Sequence, residues 1–173
     1  MKHTTRRLAL ATGGAGLALP AFAQGALPEL HWRLGSSFPR NLDILFGGSV
    51  SVARRVGQLT GGKFRITALA AGEGPPPLQI LDAVQSGAVE LGQTASYYYL
   101  GKDPTFAFFC AVPFGMNHRQ ASAWYNVGGG RELGNELYGD YNCVGIQMGD
   151  TGAQMGGWFR REIRNLQDVQ GLK

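Results

Sequence analysis

Residues 30–94 read LHWRLGSSFPRNLDILFGGSVSVARRVGQLTGGKFRITALAAGEGPPPLQILDAVQSGAVELGQT. The apolar period switches four times along this stretch, and that switching decides the fold. Residues 30–34 alternate apolar and polar, as a half-buried strand does. The GSSFP at 35–39 breaks the alternation. Leu42, Leu45, Phe46, Val52, Val56 and Leu59 then recur at helical spacing, with Asn41 placed as N-cap and Gly61-Gly62 as the stop. Residues 64–69 alternate again as a second strand. Pro75-Pro76-Pro77 closes the next loop and opens a helix, because proline is tolerated in a first turn. Ile80, Leu81, Val84 and Ala88 give that helix its apolar face. Residues 89–94 are the third strand. The order strand, helix, strand, helix, strand specifies an α/β sheet with mainly parallel pairing. Ligands of such sheets bind outside the carboxyl ends of the strands. The loops at 36–39, 71–77 and 95–100 are therefore the candidate site loops.

Beyond this core, 106–114 is an apolar run, and helices are expected at 119–127 and 131–138. Strands are expected at 143–148 and 158–161, and a short polar turn or helix from Asn165. There is no internal repeat and no low-complexity segment.

The N-terminus sets the compartment. Lys2, Arg6 and Arg7 precede an apolar stretch at 8–19, and Ala21-Phe22-Ala23 follows Pro20 as a small-x-small cleavage site. That stretch is too short to cross a bilayer, which takes about 20 apolar residues. Residues 1–23 read as a cleaved export signal. Thr5-Arg6-Arg7-Leu8 leaves both ordinary secretion and the twin-arginine route open. The whole chain has 16 basic and 12 acidic side chains, a net +4. The signal holds three of the basic ones and no acidic one, so the remainder is 13 against 12, or +1. A nearly neutral protein gives no reason to expect nucleic acid as a partner. Cys110 and Cys143 both lie in apolar runs and read as buried free thiols, with a disulfide as the alternative.

Motifs for chemistry are absent. There is no G-x-S-x-G, H-E-x-x-H or C-x-x-C. The GQLTGGKF at 57–64 is one residue short of a phosphate loop, carries Phe64 where Ser or Thr should meet magnesium, and joins a helix to a strand rather than the reverse. His31 and His118 have no second metal ligand close in sequence. An α/β enzyme would need a nucleophile, base and orienter or a metal shell, and the sequence offers neither.

The signals that remain suit binding. Tyr97-Tyr98-Tyr99 follows the third strand, and three consecutive tyrosines cannot all face one way. A phenol offers an apolar wall with one hydroxyl, which suits a small polar ligand, while a core and rim cluster is the plainer alternative. Gln154 sits among Gly152, Gly156 and Gly157. Its amide oxygen can coordinate a hard cation and its NH2 can donate to a carboxylate. Arg160 and Arg161 would face opposite sides of a strand.

Several stretches resemble the extracytoplasmic solute-binding proteins of TRAP transporters, in the subgroup that binds 2-oxo acids. They are WRLGSSFPRNLDILFGG, PPLQILDAVQSGAVE, YYYLGKDPTFAFF, AVPFG, TGAQMGGWFRREI and QGLK, in the family's order from residue 32 to 173. The resemblance implies a two-lobed, type II periplasmic-binding-protein-like α/β fold that closes on a small carboxylate such as pyruvate. It implies delivery to a TRAP membrane permease driven by a sodium gradient, with no enzymatic activity and no organic cofactor. By position, Gln154 matches a residue contacting both ligand and sodium, Tyr98 the aromatic side of the pocket, and Trp158 and Phe38 residues that line or shape the cleft. The Arg that grips the carboxylate would lie after Lys173, and so would the rest of the sodium shell. The resemblance places the first lobe at 24–142 and the start of a second at 143–173, with the chain ending inside that lobe. A mature product of this length is expected to bind weakly or not at all, or to be a remnant of such a receptor. A homodimer of the full-length protein is left open.

Overall fold

The computed structural model describes residues 28–172 except Ala111, Ala153 and Met155; the export signal lies outside the described residues. Three parallel strands form the sheet, in the order β2-β1-β3: β1 Leu30–Ser36, β2 Phe64–Leu69 and β3 Leu91–Gln93. β1 is central, with Leu30 opposite Phe64 on one side and Leu34 opposite Leu91 on the other. It is longer than its periodic stretch because Gly35 and Ser36 also have ladder partners. The third strand is shorter than the 89–94 expected, since pairing with β1 extends only from Leu91 to Gln93.

Helix α1 (Asp43–Leu59) joins β1 to β2. Asn41 is not its N-cap. Leu42 takes that position with no side-chain cap, because the turn closed by the Leu42 amide on the Pro39 carbonyl places Asn41 one residue too early. Asp43 instead puts a negative charge in the first turn, where the helix dipole favours it. The helix stops as expected, with Gly61 and Gly62 at φ of +57° and +81°, a conformation costly for side-chain-bearing residues. Pro77 opens a single 3-10 turn (Pro77–Gln79) that runs into α2 (Ile80–Gln85). α3 (His118–Val127) begins with a reciprocal capping box between Asn117 and Gln120, and α4 (Gly130–Gly139) follows at once.

The described core has two centres. One is aromatic: fully buried Phe106 stands between Tyr99, Tyr138 and Tyr141, with ring centroids 5.3–5.7 Å away, and Leu81 and Leu137 close the cluster. The other lies at the carboxyl end of the sheet and is described with the site. Cys110 and Cys143 are free thiols, both partly buried, and burial raises both above the ordinary thiol range.

Burial pushes the Tyr138 phenol up to about 12, helped by the nearby Tyr99, Tyr125 and the two thiols. A raised phenol contributes stability that is complete below its unfolded value near pH 10 and is lost as pH rises through about 12. The difference corresponds to roughly 2–3 kcal/mol. Tyr138→Phe should therefore match the wild type in urea unfolding at pH 8 and exceed it by that amount near pH 12. Equal alkaline losses in both proteins would refute this.

Residues 143–148 do not form a strand, contrary to the alternation of their sequence. The backbone of Gly145, at the middle of the stretch, is taken by side chains instead. The Gly145 amide donates to Asn135 Oδ1 of α4 at 2.8 Å, and the Gly145 carbonyl accepts from the Tyr125 hydroxyl of α3 at 2.8 Å. The backbone lies so close to the Tyr138 ring that a Cβ at Gly145 would sit 2.5 Å from it. Residues 158–161 are not a strand either. They are exposed, with a bend at Arg160 and Arg161, and among the described residues no strand lies alongside them to form a ladder. At the far end, Asn165 caps a 3-10 turn (Leu166–Val169) in a box with Asp168, the polar turn the sequence predicts.

Candidate functional site

The carboxyl ends of the parallel strands bring the three candidate loops together, with the Ala71 amide donating to the Phe38 carbonyl at 3.0 Å and the Ser37 hydroxyl reaching the Pro77 carbonyl and Thr94. β1 delivers Ser36, Ser37 and Phe38, and β3 delivers Gln93, Thr94 and Ala95. Phe38 is buried against Phe46 and Ala70, and Leu45, Ala68, Ala95 and Tyr98 pack on the same cluster. The Phe38 and Tyr98 rings lie 6.4 Å apart at a 49° tilt.

The three tyrosines diverge because they form a 3-10 turn, Ser96–Tyr99. Tyr99 goes into the core, where its hydroxyl meets Thr94 Oγ1 at 2.8 Å and accepts from the Leu81 amide at 3.1 Å. Tyr97 stacks edge-on against Tyr98 at 4.8 Å, and burial raises its phenol. Tyr98 is left half-buried between the Phe38 and Tyr97 rings, the tyrosine of the three that faces the Phe38 cluster.

Beneath this pair runs a buried polar network that sequence reasoning missed. Gln93 Oε1 accepts from the Ser36 and Ser49 hydroxyls, and its Nε2 donates to the Leu45 carbonyl. The Ser37 hydroxyl bridges the Pro77 carbonyl at 2.6 Å and the Thr94 hydroxyl at 2.8 Å. The Phe38 amide donates to Ser36 Oγ at 3.1 Å, so the network fixes the backbone from which Phe38 projects. No motif announces it, because its members come from β1, α1 and β3 and meet only when the sheet forms.

The 71–77 loop is tied back by charge. Glu73 accepts from both the Nε and a terminal nitrogen of Arg40 and from the Ala70 amide, and the Arg40 guanidinium lies 5.2 Å over the Phe46 ring. The hydrogen bond from Arg40 is the leading reason that the Glu73 carboxyl is held below its ordinary range. Arg40 is thereby paired with a protein carboxylate.

Gln154 and Trp158 are not part of the Phe38 cluster. Both are exposed, Trp158 at 89%. Gln154 Nε2 donates to Thr151 Oγ1 at 3.1 Å, and its amide oxygen is the atom able to coordinate a cation. One such oxygen fits as a single member of a hard cation's oxygen shell, which takes about six or more. Among the described residues there is no cluster of three or more acidic, histidine or cysteine side chains that could complete it. The stretch leading to Gln154 is held by Asp150, whose carboxylate meets His118 Nδ1 at 2.9 Å. The Gly152 amide, and after it His118, hold that carboxyl below its usual range. Among the described residues no helix is long and apolar enough to cross a membrane.

The comparisons with known proteins bear on the family and the fold. A monocarboxylate 2-oxoacid-binding periplasmic protein of Nostoc sp. is 49% identical over 150 residues, covering 87% of this chain and 41% of that protein. A TRAP transporter solute-binding protein of Bordetella bronchiseptica superposes with a TM-score of 0.80 at 43% identity, over 84% of this chain and 43% of that one. It is a mixed-occupancy dimer with copurified calcium and picolinate in the active site, against an apo site. A TRAP periplasmic solute-binding protein of Pseudoalteromonas atlantica, with bound sodium and pyruvate, superposes with a TM-score of 0.80 at 40% identity, over 83% of this chain and 44% of that one. The chain thus spans less than half the length of these relatives. The profile of the DctP family matches residues 36–173, nearly all of the described structure, and the chain belongs to these bacterial extracellular solute-binding proteins of family 7.

Proposed function

We propose that this chain is part of a periplasmic receptor that captures a small 2-oxo monocarboxylate such as pyruvate and delivers it to a TRAP-type membrane permease. The observation that carries the reading is the Phe38–Tyr98 pair, set by the buried network at the carboxyl ends of β1 and β3 in a chain of this family. Tyr98 and Phe38 form the aromatic wall, and the Tyr98 hydroxyl supplies a hydrogen bond. Gln154 contributes its amide to the ligand and one oxygen to a sodium or calcium ion bound with it, as the ions in the relatives support. Trp158 shapes the opposite side of the cleft. Residues 24–142 build the first lobe and 143–173 begin the second. The signal at 1–23 exports the protein, and the ligand is bound and released unchanged.

The test joins this chain to the remainder of the Nostoc relative's fold, because the chain spans 41% of that protein. Equilibrium dialysis with labelled pyruvate should show binding that weakens when sodium and calcium are withdrawn. Tyr98→Ala should weaken it about 10- to 100-fold. A folded chimera that takes up no pyruvate under any cation condition would refute the reading.

A further inference from the structure

Met148 makes a contact that neither the family match nor the aromatic pair requires. Its methyl carbon lies against α1 at Gly48, where a Cβ would stand only 2.8 Å from Met148 Cε and 3.5 Å from Gln93 Nε2. The absence of a side chain at Gly48 therefore leaves a notch beside the buried network. The far end of Met148 occupies it from a segment more than ninety residues further along the chain. The same segment is tied at Gly145 to Asn135 and Tyr125, and at Asp150 to His118. Through Met148 it touches α1, the helix that follows Phe38. Gln154 follows six residues later.

Glycine inside a helix is otherwise a disadvantage, because it costs backbone entropy relative to alanine. Its neighbour Gly47 has open space around it, so alanine there would meet nothing within 4 Å. The two adjacent glycines of α1 thus differ in what a Cβ would meet: nothing at the first, the Met148 methyl and, at ordinary contact distance, the Gln93 amide at the second.

We infer that Met148 is a positioning residue: seated in the Gly48 notch, it sets where the segment bearing Gln154 leaves α1, and so where Gln154 stands relative to Phe38 and Tyr98. This rests on the proposed reading of Gln154 as a ligand contact. The step is mechanical. The thioether chain is flexible, so a methyl at position 48 would displace Met148 at little cost to the fold. The displacement would free the segment between its ties at Gly145 and Asp150.

The experiment compares Gly47→Ala, Gly48→Ala, Met148→Ala and the Gly48→Ala/Met148→Ala double variant in the full chain. Both glycine variants should hold or raise Tm, by a few degrees at most, since each gains helix propensity. The Met148 methyl resonance should move to its solvent-exposed position in Gly48→Ala and stay in place in Gly47→Ala. Exchange of the Gly152 amide, which donates to Asp150 Oδ1 on the way to Gln154, should quicken about tenfold in Gly48→Ala and Met148→Ala and not in Gly47→Ala. Gly48→Ala should add nothing in the Met148→Ala background, because both act through one contact. An unmoved methyl resonance or unchanged exchange in Gly48→Ala would overturn the inference. Added loss in the double variant would also overturn it, since Gly48 would then act by another route. The ligand reading is tested separately by pyruvate with sodium added to the wild-type chimera. A failure to protect residues 38, 98 and 154 there would defeat that reading while leaving the Met148 seat as measured.

Discussion

Phe106→Ala is expected to lower the free energy of unfolding by about 3–5 kcal/mol. Phe106 is completely buried, and three tyrosine rings surround it at 5.3–5.7 Å. Truncation removes the ring's transfer energy and leaves a cavity whose walls are anchored. Tyr99 is held by Thr94 and the Leu81 amide, and Tyr138 belongs to α4, so neither can move far to fill the gap. Single domains hold about 5–15 kcal/mol in total, so this loss takes a large share of what keeps the chain folded. Urea unfolding followed by far-UV circular dichroism measures it directly. The site suffers too, because Tyr99 and Tyr98 share one 3-10 turn and a loosened Tyr99 frees the ring facing Phe38. A loss below about 1 kcal/mol would mean that the aromatic cluster collapses around the vacancy.

Gln93→Leu is expected to cost about 2–4 kcal/mol. The side chain is 7% exposed, and its amide serves Ser36, Ser49 and the Leu45 carbonyl, all at the carboxyl end of the sheet. Leucine preserves most of the volume and none of the hydrogen bonds. Three orphaned groups at about 1–3 kcal/mol each would exceed the stated range. Two of them can rescue each other, however. Ser49 lies four residues after Leu45 in α1, so its hydroxyl can rotate onto the Leu45 carbonyl. Ser36 retains the Phe38 amide as a donor to its oxygen. Ser49→Ala should therefore cost less in the Gln93→Leu background than in the wild type, because its bond to Gln93 is already gone, and the double-variant cycle measures that coupling. A Gln93→Leu protein as stable as the wild type would show that the network carries no net stability.

The two predictions concern different levels of the same site. Phe106 supports the turn that aims Tyr98, and the Gln93 network supports the strand end that aims Phe38. Neither residue is expected to touch a ligand. Both should change binding only through the placement of the two rings. For that reason their effects should fall mainly on stability, while Tyr98→Ala should fall mainly on affinity.

What was legible in the residues follows from local rules. Residues 30–34, the helical run from Leu42 to Leu59 and residues 64–69 declare themselves by period, since burial of one face imposes a spacing of two or of 3.6 whatever the rest of the chain does. Gly61-Gly62 stops α1 because left-handed backbone favours glycine. The parallel order followed from alternation of element types, and the loops at the strand ends followed from that order.

Tertiary structure decided the rest. Residues 143–148 alternate like a strand, and Val144 and Ile146 remain exposed at 77% and 81%, yet side chains from α3 and α4 capture the backbone where a neighbouring strand would be needed. Asn41 has a good capping side chain, but the turn after Pro39 set the helix start beyond its reach. Of the tyrosines, the sequence by itself determined that they must diverge; only packing on Phe106 decided that Tyr99 goes inward and Tyr98 meets Phe38. Strand and helix periods are local properties, carried by neighbours a few residues away. A strand's partner, a helix's first turn and the contacts of Gln93 and Met148 depend on residues dozens of positions apart, and those distances close only when the sheet assembles.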